Sequence, residues 1–429
     1  LKQYQTVKDT MLHRLAFAWL LQLLAGRRST GACAEALPRQ LLGNAPKYTR
    51  VDGDVETVWQ RPAGDETPKG LFFIAHGCNH QGTDLFASGG ADGLPEETCK
   101  QSNLGKCLGL PEEIRLRHAA LARGYIVMAI SGGSGKKSCW HPGDELKVKK
   151  AVQHVLGEEG MPIETQVLAS GASSGGSFMG ALAQRVEAGG LPNLKCIVPE
   201  IMDIDDTLNR GIPTLFVHMP KDMRTATAVA ESLVNLRERG IRSAEIQVQP
   251  VPITTDLLSA CLASDLASAV VQSLQAHNVL DGGGFLKANS RRYLWQQPVV
   301  AAIEGKEDMV IPDEGCISEL MHVAFAQHEF TSQYAEEMLD FCEEKGSYSS
   351  LAQTAASASA SSLQGRAMDP DEALQAALPS SSSKGVLVFA SLGFVIITVA
   401  ILIRSSGRGA FAKGRADRHA LTGQKEGDK

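Results

Sequence analysis

The 429-residue chain has no basic excess. Its 42 Lys and Arg stand against 48 Asp and Glu, a formal charge of −6, which argues against a nucleic-acid partner. It has no internal repeat, and it has no Asn-x-Ser/Thr sequon, so N-glycosylation lends nothing to any argument about compartment. Charge is also missing locally. From Gly385 to Ile403 (GVLVFASLGFVIITVAILI) no residue is charged, and the run has the length of one membrane-spanning helix, about 20 residues. Arg404, Arg408, Lys413, Arg415 and Arg418 follow, with Asp417 the acid among them, so a basic tail over 404–429 is expected on the cytoplasmic side. The chain continues past the apolar run to Lys429, which disfavours a glycolipid anchor.

The other end reads as a targeting segment. Met11-Leu-His-Arg14 gives a positive start, Leu15–Leu24 is almost unbroken apolar sequence, and small residues surround Cys33, so a signal peptide is expected over 11–34, with Met11 as the start. Removing Cys33 with it leaves an even set: Cys78, Cys99, Cys107, Cys139, Cys196, Cys261, Cys316 and Cys342. Disulfides are therefore expected, in an oxidising compartment. Cys99 with Cys107 and Cys316 with Cys342 are the expected pairs, because each closes a modest local loop. The whole reads as a single-pass type I protein of the secretory pathway or plasma membrane. Its lumenal or extracellular domain covers 35–346, and an alanine- and serine-rich stalk over 347–384 (AQTAASASASS, LPSSSSK) leads to the membrane.

Inside that domain, short apolar runs alternate with helical patterns. The runs are Leu71–Ala75, Tyr125–Ile130, Gln166–Ala169, Cys196–Val198, Pro213–Val217 and Ala244–Val248; without polar alternation, they suit strands buried on both faces. Helices are expected over Pro111–Arg123, Asp144–Leu156, Ser177–Glu187 and Thr225–Arg239, with Gly124, Gly157 and Gly240 at C-termini. This predicts an α/β fold with a mainly parallel sheet flanked by helices. A helical stretch over Leu257–Leu280 then leads through Asp281-Gly-Gly-Gly284 into irregular sequence to about Pro312, and helical segments close the domain around Ile317–Ala326 and Ser332–Glu344. The segment 253–315 reads as an insertion or lid before the last helix.

Chemistry concentrates around GASSGG, Gly171–Gly176, directly after one apolar run and before a helical pattern. A Gly-x-Ser-x-Gly turn between strand and helix lifts the serine clear of the sheet, with glycines where strand and helix approach too closely for side chains. Ser173 is then the candidate nucleophile. An acyl-transfer oxyanion needs fixed N–H donors; one is the backbone of Ser174, and the other is expected from Gly77 or Cys78, in the loop after Leu71–Ala75. His76 reads as a structural group of that loop. In the chain order serine, acid, histidine, Asp222 follows a later strand and is the candidate acid, with Asp203, Asp205 and Asp206 in reserve. Of the later histidines, His328 precedes a closing helix that Thr331 or Ser332 would cap and is the candidate base; His277 and His322 read as surface or packing residues.

Two other sites are rejected. His76, Cys78, His80, Cys139 and His141 lack common zinc spacings, and GGSGKKS (Gly132–Ser138) would need the first glycine of a phosphate loop where Ile130 stands.

The combination of His76-Gly77-Cys78, the cysteine pair before Gly109-Leu-Pro-Glu-Glu113, GASSGG and His328-Glu-Phe-Thr-Ser332 resembles the α/β-hydrolase superfamily over most of 69–344, and within it a group of plant and algal α/β-hydrolases. The Gly-x-Ser-x-Gly-Gly form is similar to that of secreted polyester and feruloyl esterases and of prolyl-oligopeptidase-like peptidases. The resemblance implies a Ser173, Asp222, His328 triad and a serine hydrolase, most simply a carboxylic-ester hydrolase working through an acyl-enzyme on a small-molecule or lipid ester, with no metal or organic cofactor required. A peptidase and a catalytically silent binding module are the alternatives. The chain departs from the family in the long segment before His328, which relatives commonly cross in a short loop.

Overall fold

The apolar runs become strands of one eight-stranded sheet: β1 (Lys47–Val51), β2 (Val55–Gln60), β3 (Gly70–Ala75), β4 (Tyr125–Ile130), β5 (Val167–Ala172), β6 (Leu194–Glu200), β7 (Thr214–His218) and β8 (Ser243–Gln247). The computed structural model describes residues 43–133, 138–141, 143–184 and 190–345, all within a unit spanning 1–357. The expected signal peptide, stalk, membrane helix and tail at 11–34, 347–384, 385–403 and 404–429 lie outside the described residues. No described helix is long and apolar enough to cross a membrane.

The strand order is β1-β2-β4-β3-β5-β6-β7-β8. β2 pairs antiparallel with β1 and β4, and all other pairs are parallel, which is the α/β-hydrolase fold. The β1–β2 hairpin escaped the sequence reading because β1 is a polar edge strand, its outer residues exposed or half-buried. From β3 the chain winds one way to β4, then returns to β5 on the other side and continues outward. The carboxyl ends of β3 and β5 are therefore adjacent at the point where winding reverses, the crevice in which open α/β sheets bind ligands. They carry Gly77 and Ser173.

Alternate side chains of each central strand feed opposite cores. Phe72 and Ile74 of β3 point into one, with Val127 and Ala129 of β4; Leu71, Phe73 and Ala75 point into the other, with Ile126, Met128 and Ile130. The first core is covered by the helices Pro111–Ala122 (α2) and Ala335–Cys342 (α10), and the second by Asp144–Glu158 (α3), Ser174–Leu182 (α4) and Met223–Glu238 (α5). A further short helix, Glu96–Gln101 (α1), precedes α2. Gly124 and Gly240 do stand at helix ends with positive φ, but Gly157 lies inside α3, and Gly160, with φ 65°, takes the turn.

The segment 253–315 is more regular than expected beyond Gly284. It holds helices Thr255–Leu258 (α6), Ser264–Ala276 (α7) and Gln296–Ala302 (α8), which pack with Cys316–Phe325 (α9) around a third core including Leu258, Val270, Leu274, Trp295, Val299 and Leu320. The helix expected over Leu257–Leu280 is broken at Ser259–Ala263. This subdomain is a closed excursion. The chain leaves the sheet at Val251, whose N–H donates to the carbonyl of Ala324 at 3.1 Å, so the end of α9 returns to where the insertion began. Ala326, left-handed at φ 54°, then turns the chain toward His328. The long detour delivers the histidine as a short loop would.

Four disulfides join Cys78–Cys139, Cys99–Cys107, Cys196–Cys342 and Cys261–Cys316. Cys99–Cys107 agrees with the local-loop expectation. Cys316–Cys342 does not form, because α9 belongs to the insertion core, where Cys316 meets Cys261, while α10 lies on the sheet, where Cys342 meets Cys196 of β6. The latter pair closes 146 residues, and loop closure of that length restrains the unfolded chain strongly. A Cys196→Ser/Cys342→Ser variant is expected to lose about 2–4 kcal/mol of stability, read as a lower urea midpoint; an unchanged midpoint would refute the pairing.

Candidate active site

Ser173 sits between β5 and α4 with φ 51° and ψ −113°, a positive-φ backbone that costs a non-glycine residue about 1–3 kcal/mol and persists only where its surroundings enforce it. Enforcement comes from both sides. The Ser173 N–H donates to the carbonyl of Glu200 at 3.0 Å, and its own carbonyl accepts from Ser177 at 2.9 Å. The helix meanwhile runs against the end of β3 so closely that a Cβ on Gly175 would lie 2.5 Å from the Ala75 carbonyl oxygen and 2.6 Å from that of His76. Only glycine fits there.

The chain brings the three candidate residues into one hydrogen-bonded line. His328 Nε2 lies 3.2 Å from Ser173 Oγ, and His328 Nδ1 lies 2.6 Å from Asp222 Oδ2. With the carboxylate accepting, Nδ1 carries the proton and Nε2 is free to accept from the serine hydroxyl. Asp222 also caps α5, accepting from the Thr225 N–H at 3.3 Å and the Thr225 hydroxyl at 2.7 Å. Burial works against its charge, but these bonds and His328 outweigh burial and hold the carboxyl below its usual range. Two of the reserve acids are engaged elsewhere: Asp205 accepts from Thr207, and Asp206 from Asn235. His322 is buried against Ser290 and Tyr293, and His277 is exposed at the end of α7. Ser332 does not cap α10, which starts after Tyr334 without a side-chain cap. Instead its N–H and hydroxyl both donate to Glu112, each at 2.7 Å, which ties the loop bearing His328 to α2.

The loop after β3, the candidate oxyanion loop, approaches the serine: a Cβ on Gly77 would lie 3.9 Å from that of Ser173. Ser174 begins α4, where a backbone N–H has no acceptor within the helix. The loop is clamped by features the sequence reading did not connect. Cys78 is bonded to Cys139, which also removes both thiolates from any zinc set. Trp140 Nε1 donates to the His76 carbonyl at 2.9 Å, and the Gly132 N–H donates to His76 Nε2 at 3.0 Å. Burial drives the His76 pKa down to about 4, keeping that ring neutral and able to accept, in the structural role expected of it. The GGSGKKS segment lies partly outside the described residues.

Glu200 was missed. It is fully buried at the end of β6, and its carboxyl links Ser170 of β5 at 2.8 Å to the Thr331 N–H at 3.4 Å, behind both Ser173 and His328. An acidic residue closing an apolar run, Ile197-Val-Pro-Glu200, was the available signal. The cleft in front of Ser173 and His328 is lined also by Gly77, Cys78, Asn79 and His80 and encloses about 770 Å³, open solvent at its mouth included. Arg291 and Asp313 of the insertion line it as well, and Arg291 donates to the His328 carbonyl at 2.8 Å.

No protein-family model matches the chain, and no curated protein does. Solved structures match part of it. An acylaminoacyl peptidase from Pyrococcus horikoshii is 14% identical with a TM-score of 0.33, covering 48% of this chain and 36% of its own. The Bacillus cereus carboxylesterase is 14% identical with a TM-score of 0.31, covering 45% and 84%, and a thermostable esterase from Pseudomonas putida is 13% identical with a TM-score of 0.33, covering 49% and 73%. The match thus spans little more than a third of the peptidase.

Burial raises the Glu200 pKa from 4.5 to about 8. Between those values the folded state holds a proton that the unfolded state releases, so stability falls as pH rises through the window. Urea unfolding from pH 5 to 8 is expected to show this loss in the wild type and a flatter profile in Glu200→Gln; parallel profiles would show that Glu200 is ionised.

Proposed function

We propose that the protein is a serine hydrolase that cleaves carboxylic esters through an acyl-enzyme. The observation that carries this is the Ser173–His328–Asp222 line of hydrogen bonds on a strained turn at the sheet's reversal point. Ser173 Oγ attacks the carbonyl carbon as His328 Nε2 takes its proton, and the carbonyl π electrons move to oxygen. The backbone N–H groups at Ser174 and at Gly77 or Cys78 face that oxyanion. Collapse expels the alkoxide, which takes the proton from His328, and water repeats the sequence on the acyl-enzyme. Asp222 stays ionised and holds the imidazole in the working tautomer.

Labelling by a fluorophosphonate, absent in Ser173→Ala, is expected, and Asp222→Asn should cut kcat on 4-nitrophenyl acetate by about 10³–10⁴. Well-folded protein that takes no label is a binding module instead.

The same reading places the domain outside the cytoplasm on a single-pass type I anchor, as in the plant and algal group that the sequence resembles. It is supported by the uncharged run 385–403 and by the pairing of all eight cysteines of the domain. The full chain is then expected to stay in the membrane pellet after alkaline carbonate extraction; release into the supernatant would remove the anchor.

A further inference from the structure

A second acid–histidine pair opens onto the cleft that holds Ser173. His80 lines that cleft beside Gly77, Cys78, Ser173 and His328. Its backbone is set by a tight turn, in which the His80 N–H donates to the Gly77 carbonyl at 3.4 Å and Asn79 is left-handed at φ 69°. Its ring is set by Asp84, whose Oδ2 lies 3.3 Å from His80 Nδ1 and also accepts the Gln81 N–H at 3.1 Å. The Asp84 side chain is 1% exposed and that of His80 18%, so the pair points from the interior toward solvent.

The far edge of the ring is uncommitted. Nε2 has no acceptor among the described residues, and it is not one of the buried polar atoms that lack a partner. It is therefore exposed, in a residue that lines the cleft. Cδ2, the ring atom bonded to Nε2, would lie 3.8 Å from a Cβ on Gly77, and the Ser173 Cβ would lie 3.9 Å from the same point. The imidazole and the serine thus flank one glycine, in the loop proposed to supply a backbone donor. Arg291, another cation on the wall, is engaged by Asp313, Glu329 and the His328 carbonyl.

Charge decides what His80 can do. Burial works against the imidazolium, but the bond to Asp84 and the charges of Asp84, of Glu113 on α2 and of Glu329 in the histidine loop outweigh burial and lift the pKa to about 9. His76, in the same loop, is kept neutral by burial. A protonated ring donates and does not accept, so at neutral pH His80 does not compete with His328 as base. A fixed, charge-assisted donor stabilises an oxygen that is becoming negative more than it stabilises the neutral carbonyl. That difference is what accelerates a reaction.

We propose that His80 is a further catalytic residue, its Nε2–H donating to the oxyanion as a third donor beside the two backbone N–H groups, with Asp84 as its positioning residue. This rests on the serine-hydrolase reading and gives that reading a charged side chain at the oxyanion.

His80→Gln tests it, since glutamine keeps a hydrogen-bond donor but carries no charge. On 4-nitrophenyl acetate the variant is expected to lose about 10²–10³ in kcat with KM nearly unchanged. Wild-type kcat/KM, which reports the free enzyme, is expected to fall as pH rises through about 9, because the imidazolium is lost there; this alkaline limb should be missing from His80→Gln. A kcat close to wild type overturns the proposal. So does a lowered kcat with the alkaline limb retained, which marks a merely structural role. Both results leave the hydrolase standing, whereas a wild type that takes no fluorophosphonate label removes the hydrolase reading itself. Should His80→Gln fail to fold, the wild-type profile decides, and a kcat/KM that stays level up to about pH 10 overturns the role of His80.

Discussion

The site depends on one close approach, that of α4 to the end of β3. Parallel pairing of β3 with β5 sets the two strand ends side by side, and the absence of a side chain at Gly175 lets the helix after β5 meet the carbonyls of Ala75 and His76. That contact forces Ser173 into its positive-φ backbone and turns its hydroxyl away from the sheet. It also sets the distance between the serine and the loop that follows β3. A bulkier residue at Gly175 would push Ser173 away from the loop that follows β3.

Around this contact the protein adds restraint from distant parts of the chain. The β3 loop is fastened to the β4 loop through Cys78–Cys139 and the Trp140 and Gly132 bonds. The histidine loop is fastened at Thr331 by Glu200, at Ser332 by Glu112 and at His328 by Arg291. Glu200 and Glu112 are buried polar groups whose own bonds require the loop to stay where it is, and Arg291 adds its bond from an exposed position. Precision of about half an ångström in a catalytic group needs such a supporting shell. The insertion takes part in it, since Arg291 belongs to the helical subdomain and not to the sheet.

Much of this architecture was legible from composition and pattern. Buried parallel strands are continuous apolar runs, so β3 to β8 stand out at nearly their true positions, whereas β1 carries exposed residues at a sheet edge and does not. The serine turn was legible because its glycines are a local steric requirement. Asp222 and His328 were legible only through chain order and their places after a strand and before a helix. Only the later part of the insertion, from Gly284 to about Pro312, was read as irregular, because its apolar residues, such as Trp295 and Val299, serve a third core that no strand pattern announces.

The sequence by itself determined the elements whose causes lie within a few residues: strand runs, helix ends, the nucleophile turn and the short Cys99–Cys107 loop. Only the tertiary structure decided which cysteines far apart in the chain meet, that the detour from Val251 to Ala324 closes on itself, that Glu200 stands behind the serine, and that Glu113 of α2 faces Glu319 of α9. Those pairings join positions up to about two hundred residues apart. They follow from how helices pack on a shared sheet, an arrangement that many residues fix together and none announces alone.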